Sequence, residues 1–386
     1  MLWQLPLALG CLAWLALGGL LLREILALRW LEDLAHAPPS AWPRLSVLIP
    51  ACNEALTLEP ALQSLLAQDY PDLEVVLVND RSTDGTGALV DRLAAADARV
   101  QALHIATLPP GWLGKLHALH VAMAQATGDV VLLTDADVHF GPQALRRTVA
   151  WFQAEQLDHL TLLPRVHVPG LGGAALVTAF GAALLAAMRP SQVGRPGSGA
   201  CVGIGAFNLV RKATFARTPG FPWLKLEIVD DLGVAQLLRD VGGRSAVGVS
   251  RRLLALTWYD DMHGMVRGLE KNMFAAIARF SYARAILVAA AMFGFGLAPV
   301  VALVLGPTWL RLLAALGLTC TLGPLLALAR RGGTPLAGVL LLPFAQVLAA
   351  ATLLRSAWKT WRQGGVVWRG TRYTTAELRA GQRVQV

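Results

Sequence analysis

The stretch "VVLLTDADVHF", residues 130–140, decides how this chain is read. Four apolar residues and a threonine run into Asp135 and Asp137, which are separated by a single alanine. In an extended strand, residues two apart point to the same face. Two carboxylates there repel each other unless a cation or a set of donors sits between them. A strand end followed by a turn, with aspartate as turn former or helix cap, accounts for the stretch equally simply. The neighbouring segments weigh on that choice.

Upstream, apolar runs alternate with helical spacing. "RLSVLIP" (44–50), "LEVVLVND" (73–80), "RVQALHI" (99–105) and "DVVLLTD" (129–135) read as strands. "ALTLEPALQSLLAQ" (55–68), "DGTGALVDRLAAA" (84–96) and "GKLHALHVAMAQA" (114–126) read as the helices between them, the second opened by an Asp84-Gly85 turn. Strands without strong alternation, separated by helices, predict a parallel α/β sheet covered on both faces. In such sheets ligands sit beyond the carboxyl ends of the strands. The polar clusters fall there: "PACNE" after the first strand, "NDRSTD" after the second, "TDADVH" after the fourth. Three strand ends converging on one crevice suit a nucleotide site better than three independent turns.

These motifs carry a resemblance. "IPACNE", "VLVNDRSTDGT" and "LLTDAD", followed by "VDDLGVAQLLRDVGG", look like family 2 glycosyltransferases of the Rossmann-like GT-A fold, over roughly Leu45 to Asn272. "LPPGWLGK" (108–115) is similar to the membrane-bound branch that glycosylates lipids, including hopanoid-associated, carotenoid and ceramide enzymes. The resemblance implies a nucleoside diphosphate sugar, UDP-linked first of all, as donor and a lipid as acceptor. It implies that Pro50, Asn53, Glu54 and Asp80 line the base and ribose. It implies that Asp135 meets ribose or metal, and that Asp137 is a direct ligand of Mg²⁺ or Mn²⁺. A hard divalent ion takes oxygen ligands and bridges two phosphates. In the family the second acidic residue of the later pair is the base, which implies Asp231 in that role with Asp230 orienting it. Many processive members carry Q-x-x-R-W beyond this point; the matching region here reads "MVRGLEKN" (265–272), which implies one sugar per event.

Each of these residues also has a plainer role. Asp80 can form an Asx-turn with Ser82 or Thr83, and Asn53 and Glu54 can cap the following helix. Asp230 and Asp231 can serve the N-terminus of an amphipathic helix over 232–240. Lys115 opens a predicted helix, where amide donors suit a diphosphate, but it can equally be an exposed helix lysine. Arg267 and Lys271 lie one helical turn apart and can reach a diphosphate from an interfacial helix. His139 can be a further metal ligand but reads first as a surface histidine, and His117 and His120 read as ordinary surface or core residues. "GIGAFN" (203–208) lacks the third glycine of a dinucleotide fingerprint, and resembles a family strand that borders the acceptor site, with Arg211 close behind. The spacing of a P-loop is absent from "GWLGK".

The whole chain has 386 residues, 55% of them hydrophobic, with a mean hydropathy of +0.51. That is too apolar for a plain soluble domain. Leu2–Leu22, Ile286–Leu310, Leu312–Ala329 and Gly332–Leu354 carry no charge. Each is about long enough to cross a ~30 Å hydrocarbon core. The first lacks a basic n-region and reads as an uncleaved anchor rather than a signal peptide. The organisation expected is an anchor at 1–30, a catalytic domain with an interfacial segment at 44–284, membrane segments at 285–356 and a basic tail at 357–386. Arg23, Arg29 and Arg44 follow the anchor, so the positive-inside rule puts the catalytic domain on the cytoplasmic side of the inner membrane. The same rule asks for a cytoplasmic tail, which the chain satisfies if Gly332–Leu354, with Pro335, Gly338 and Pro343, re-enters without crossing. "VVWRGTRY" (366–373) resembles a tail motif of carotenoid-type transferases, which implies an aromatic and basic strip over the active site. "LGGAALVTAFGAALLAAM" (171–188) can be a tunnel-lining surface segment or core.

A net charge of +9 raises nucleic acid as a partner, but no long basic run, zinc-finger spacing or RNP motif accompanies it. The basic residues gather near the membrane runs, where anionic headgroups attract them. Cys11, Cys52, Cys201 and Cys320 show no paired spacing, so neither a disulfide framework nor a zinc site is implied, which fits a reducing compartment. A nucleotidyltransferase and a catalytically decayed membrane scaffold are the competing classes. The first leaves the Asp230-Asp231 helix unexplained, and the second does not fit the full acidic set.

Overall fold

The computed structural model describes residues 3–259 and 261–384, without the side chains at 262, 263 and 270–272. The chain divides into two compact units: residues 1–28, 166–191 and 257–375 form one, and residues 29–165, 192–256 and 376–386 the other.

The second unit is built on an eight-stranded sheet. Its order is Arg29–Trp30, Ser245–Val249, His159–Leu163, Asn208–Arg211, Val130–Leu133, Leu45–Ala51, Leu73–Asp80, Val100–Ile105. Neighbours run parallel except Asn208–Arg211, which is antiparallel to both strands beside it. The four strands read from the sequence are all present, and the helices between them form over Leu58–Leu66, Thr86–Ala96 and Gly114–Gln125. The central strands are buried along nearly their whole length, which is why they lack a polar alternation. Val47, Ile49, Val75, Leu77, Val130 and Leu132 share one core with Leu58, Leu62, Val90 and Leu93 from the covering helices.

Register fixes where the site lies. Leu48 pairs with Leu133 and Ala51 with Asn79, so the carboxyl ends of three parallel strands share an edge. Asn208 pairs with Leu133, so the antiparallel strand enters from that same edge and delivers the preceding segment, 203–207, beside the aspartates. Its far end carries Arg211 opposite Val130. There Arg211 donates to the Leu157 carbonyl (2.8 Å) and stacks its guanidinium over Phe152. Arg211 therefore sits at the opposite end of its strand from the aspartates.

The first unit is helical. Among the described residues, four helices are long and apolar enough to cross a membrane: Gln4–Leu26, Gly170–Gln192, Tyr282–Leu305 and Thr308–Gly332. The second of these contains 171–188, which the sequence left between tunnel lining and core. Small residues let the helices approach closely. A Cβ on Gly18 would stand 2.6 Å from the Cys320 backbone, and one on Gly317 would stand 2.8 Å from the Cys11 carbonyl. Trp14 donates its indole N–H to the Phe295 carbonyl (2.7 Å) and accepts at its own carbonyl from Thr321 Oγ1 (2.6 Å). The third C-terminal segment is broken as its prolines suggest. A short helix, Leu336–Leu340, precedes Leu342–Gln363, with Pro335 and Pro343 at the two starts. Residues 366–373 form a two-stranded hairpin in this unit.

Candidate active site

The acidic motifs meet at the shared strand edge. Asp135 follows Leu133 and is tied by its backbone N–H to the Gly205 carbonyl (3.2 Å). Asp230 and Asp231 are the first two residues of the helix Asp230–Asp240, whose N-cap is Val229. Asp231 Oδ2 accepts from the Gly205 N–H and Oδ1 from the Leu232 N–H, both at 2.9 Å. Lys115, one residue into its helix, reaches across. Its Nζ lies 2.8 Å from Asp135 Oδ1 and 3.1 Å from Asp230 Oδ2. One ammonium thus links two motifs that are about a hundred residues apart in the chain.

Glycine at 205 is required by this approach. A Cβ there would stand 2.6 Å from Asp135 Oδ2 and 3.1 Å from Lys115 Nζ, and one at Gly203 would collide with the Asp231 carbonyl. Gly205→Ala is expected to displace the Lys115–Asp135 pair. Such overpacking costs about 1–3 kcal/mol of stability. A displacement near 1 Å costs roughly 10²-fold in turnover. Thermal shift and initial rates measured side by side test this; wild-type turnover in the alanine variant would show that the approach does not matter.

The electrostatics are those of a crowded acidic site. Burial, then the neighbouring Asp230, pushes the Asp231 carboxyl up to about 7. Burial also raises Asp230, against the pull of Lys115. Burial would favour a neutral Lys115, but Asp135, Asp230 and Asp231 outweigh it and hold the ammonium above lysine's ordinary value. Asp137 is pushed up to about 6 by burial, then by Asp135 and Glu54. Among the described residues no salt bridge reaches Asp137, and no group of three or more His, Cys, Asp or Glu side chains gathers as a metal cage. A half-buried carboxylate with raised affinity for positive charge, next to a second carboxylate, fits a cation that draws its remaining oxygen ligands from a bound diphosphate and water.

The other strand ends are braced loops. Asn53, with φ of 58°, accepts at Oδ1 from the Thr83 N–H (2.8 Å), and its own N–H donates to Ser82 Oγ (3.0 Å). The Glu54 N–H donates to Thr86 Oγ1 (2.8 Å), and its carboxylate accepts from Thr57 Oγ1 (2.8 Å). These bonds lock "PACNE" to "NDRSTD", and the helix begins only at Leu58 rather than at residue 55. Pro50 lies in its strand opposite Val78. Asp80 is buried and gripped by Arg81, whose Nε and Nη2 donate at 2.7 and 2.9 Å. Arg81 itself was not singled out in the sequence. It bends back through a left-handed backbone (φ 53°), for which "NDRS" gives no signal. Gly114 packs against that pair, and a Cβ there would collide with both side chains. His139 is exposed, as expected of a surface histidine. Trp112 stacks on His120 and meets His117 edge-on, which explains both histidines as packing. Arg267 belongs to the helix Met262–Ala276 of the first unit, and the side chain of Lys271 lies outside the described residues.

Comparison with known proteins agrees with this geometry. Residues 46–216 match the family described as "Glycosyl transferase family 2". This segment is a family 2 glycosyltransferase domain. The family 2 domain covers all the strand ends described above except the Asp230–Asp240 helix. Among relatives, a probable glycosyltransferase of Bacillus subtilis (strain 168), YdaM, is 34% identical over 28% of this chain and 25% of its own length. The beta-monoglucosyldiacylglycerol synthase of Synechocystis sp. is 30% identical over 36% of this chain and 31% of its own. The chain thus spans about a quarter to a third of these curated relatives. A solved mannosyltransferase from Pyrobaculum calidifontis, in complex with GDP-Man and Mn2+, superposes with a TM-score of 0.56 at 22% identity, over 92% of this chain and 99% of the other. That likeness establishes the fold, of the GT-A type.

Proposed function

We propose that the chain is a membrane-bound inverting glycosyltransferase that moves one sugar per event from a nucleoside diphosphate sugar to a hydroxyl of a lipid or isoprenoid-type acceptor. The observation that carries this reading is the Asp231 carboxyl. Two backbone amides orient it beside a lysine-bridged acidic cluster at the shared strand edge, where burial and Asp230 push it up to about 7. A base with that affinity takes a proton from an acceptor hydroxyl at neutral pH. The acceptor oxygen then forms its bond to the anomeric carbon as the bond to the phosphate oxygen breaks, and the electron pair leaves with the nucleoside diphosphate. Asp230 orients its neighbour through the Lys115 bridge. Lys115 is a diphosphate contact whose ammonium already stands in the cluster. Asn53, Glu54, Pro50 and Asp80 take the base and ribose side, on two braced strand ends next to the cluster. Arg267 and Lys271 remain proposed diphosphate contacts on their sequence spacing alone.

Asp137 and Asp135 would hold a divalent cation, Mg²⁺ or Mn²⁺, which neutralises charge on the departing diphosphate. Support for a lipid acceptor comes from four apolar helices in the same chain and from a relative whose name contains diacylglycerol. UDP is the first donor to test. The catalytic unit is assigned to the cytoplasmic face of the inner membrane, because Arg23, Arg29 and Arg44 follow the first apolar helix. A re-entrant course for 332–354, with the tail on the same face, follows from the same rule.

Sealed and opened membrane vesicles from cells producing the protein, given a panel of labelled sugar nucleotides, test the proposal. One donor should label an organic-extractable product, and only vesicles exposing the cytoplasmic face should use it. Absence of labelled lipid with every donor would sink the lipid acceptor. Labelling by sealed, outside-out vesicles would reverse the orientation.

A further inference from the structure

The segment from Ala376 onward re-enters the second unit and closes on the loop ahead of the acidic helix. Glu227 is the focus. Its side chain is buried, and Oε2 accepts from the backbone N–H groups of Arg383 (2.6 Å) and Val384 (2.9 Å). Oε1 accepts from the Val229 N–H (3.2 Å), so one carboxylate ties the tail to the residue that caps the Asp230–Asp240 helix. Gln236, on that helix, donates back to the Arg383 carbonyl (3.3 Å). Gly381 packs so closely on Leu226 that a Cβ there would collide with it, and the Arg383 guanidinium lies over Trp223. The same loop holds the lysine side of the site, because the Lys225 carbonyl accepts from the Leu113 N–H (2.7 Å) at the N-cap of the helix bearing Lys115.

We infer that Glu227 is a positioning residue for glycosyl transfer, and that residues 376–384 are a brace which sets the start of the Asp230–Asp240 helix, and with it Asp231, through it. The inference rests on the reading of Asp231 as base. Three amide donors on one buried carboxylate explain why an acidic residue is kept there. Charge-assisted bonds of this kind are roughly twice as strong as neutral ones. The backbone of 225–229 has little regular structure of its own, so the tail supplies the constraint that a longer helix would otherwise provide. Displacement of the loop would move Asp231 against the acceptor, and Asp230 against Lys115, without touching the strand ends at Asn53 and Asp80.

Two variants of the full chain test it in membranes: Glu227→Gln, which turns one acceptor oxygen into a donor facing amide N–H groups, and a truncation after Gln382. Both are expected to lower kcat by about 10²-fold with donor KM within about twofold, and to displace the acid limb of the pH–rate profile. Donor affinity measured by isothermal titration should be retained. Wild-type kcat and an unmoved acid limb in both variants would overturn the brace. Donor binding lost in step with turnover would overturn it too, because the tail would then be a general fold element. Asp231→Asn runs alongside. If that variant keeps full activity, the base reading itself has failed; if it is inactive while Glu227→Gln is normal, only the brace has.

Discussion

Asp231→Asn is expected to lower sugar transfer by ~10²–10⁴-fold, the usual cost of losing a positioned general base. The amide keeps the side chain's shape but takes no proton from the acceptor. The pH profile gives the sharper evidence. Burial and Asp230 raise the wild-type carboxyl to about 7, and the base works only when ionised. kcat/KM should therefore fall about tenfold per pH unit below neutrality and level off above it. Lys115 is held above its ordinary value and stays charged across that window, so it adds nothing to the limb, whereas Asp137, pushed up to about 6, steepens it at lower pH. The residual activity of the asparagine variant should lose the limb near 7 and keep the one near 6. Donor binding should survive, because the base faces the acceptor. A near-wild-type Asp231→Asn beside an inactive Asp230→Asn would reverse the two roles.

The strands that carry these residues were legible because they are buried on both faces and flanked by turn chemistry. "LSVLIPA", "LEVVLVND" and "VVLL" have no other stable reading between helical segments. The convergence of Asp135 with Asp230 and Asp231 was legible only through the family resemblance, since register across the sheet joins them and spacing does not. The insertion of Asn208–Arg211 between His159–Leu163 and Val130–Leu133 decides which edge each residue occupies. A short strand says nothing of its neighbours, which is why the sequence gives no sign of the edge that Arg211 occupies. Residues 171–188 stayed ambiguous because glycine and alanine serve both a soluble core and close membrane packing; here Ala175, Ala179 and Ala182 are buried against other helices of the first unit. Glu227 gave no signal at all. Its partners are backbone amides of residues 383 and 384, and a backbone donor leaves no trace in composition.

The second large effect concerns Asp137. Its carboxyl is pushed up to about 6 by burial, then by Asp135 and Glu54, while Lys115 is spent on Asp135 and Asp230. At neutral pH an ionised Asp137 is therefore held at a cost that a bound divalent ion removes. Removing one of the two carboxylates should forfeit several kcal/mol of transition-state stabilisation. At 1.36 kcal/mol per decade that is roughly 10³-fold or more in rate. Asp137→Ala should show this loss and yet accumulate as a folded protein, because relieving a crowded acidic site does not weaken the core. Treatment of the wild type with EDTA should match it, with recovery on adding Mg²⁺ or Mn²⁺. Mn²⁺ binding followed by electron paramagnetic resonance supplies a readout apart from turnover. The wild type should bind the ion more tightly when a nucleoside diphosphate is present, since Asp135 and Asp137 alone offer too few ligands, and Asp137→Ala should not. Glu54→Gln should bind Mn²⁺ at least as well as Asp137→Ala, since Glu54 contributes to the local potential without standing in the D-x-D pair. Full activity in chelator, with no nucleotide-dependent Mn²⁺ signal, would leave Lys115 as the cation of the site and remove the metal from the mechanism.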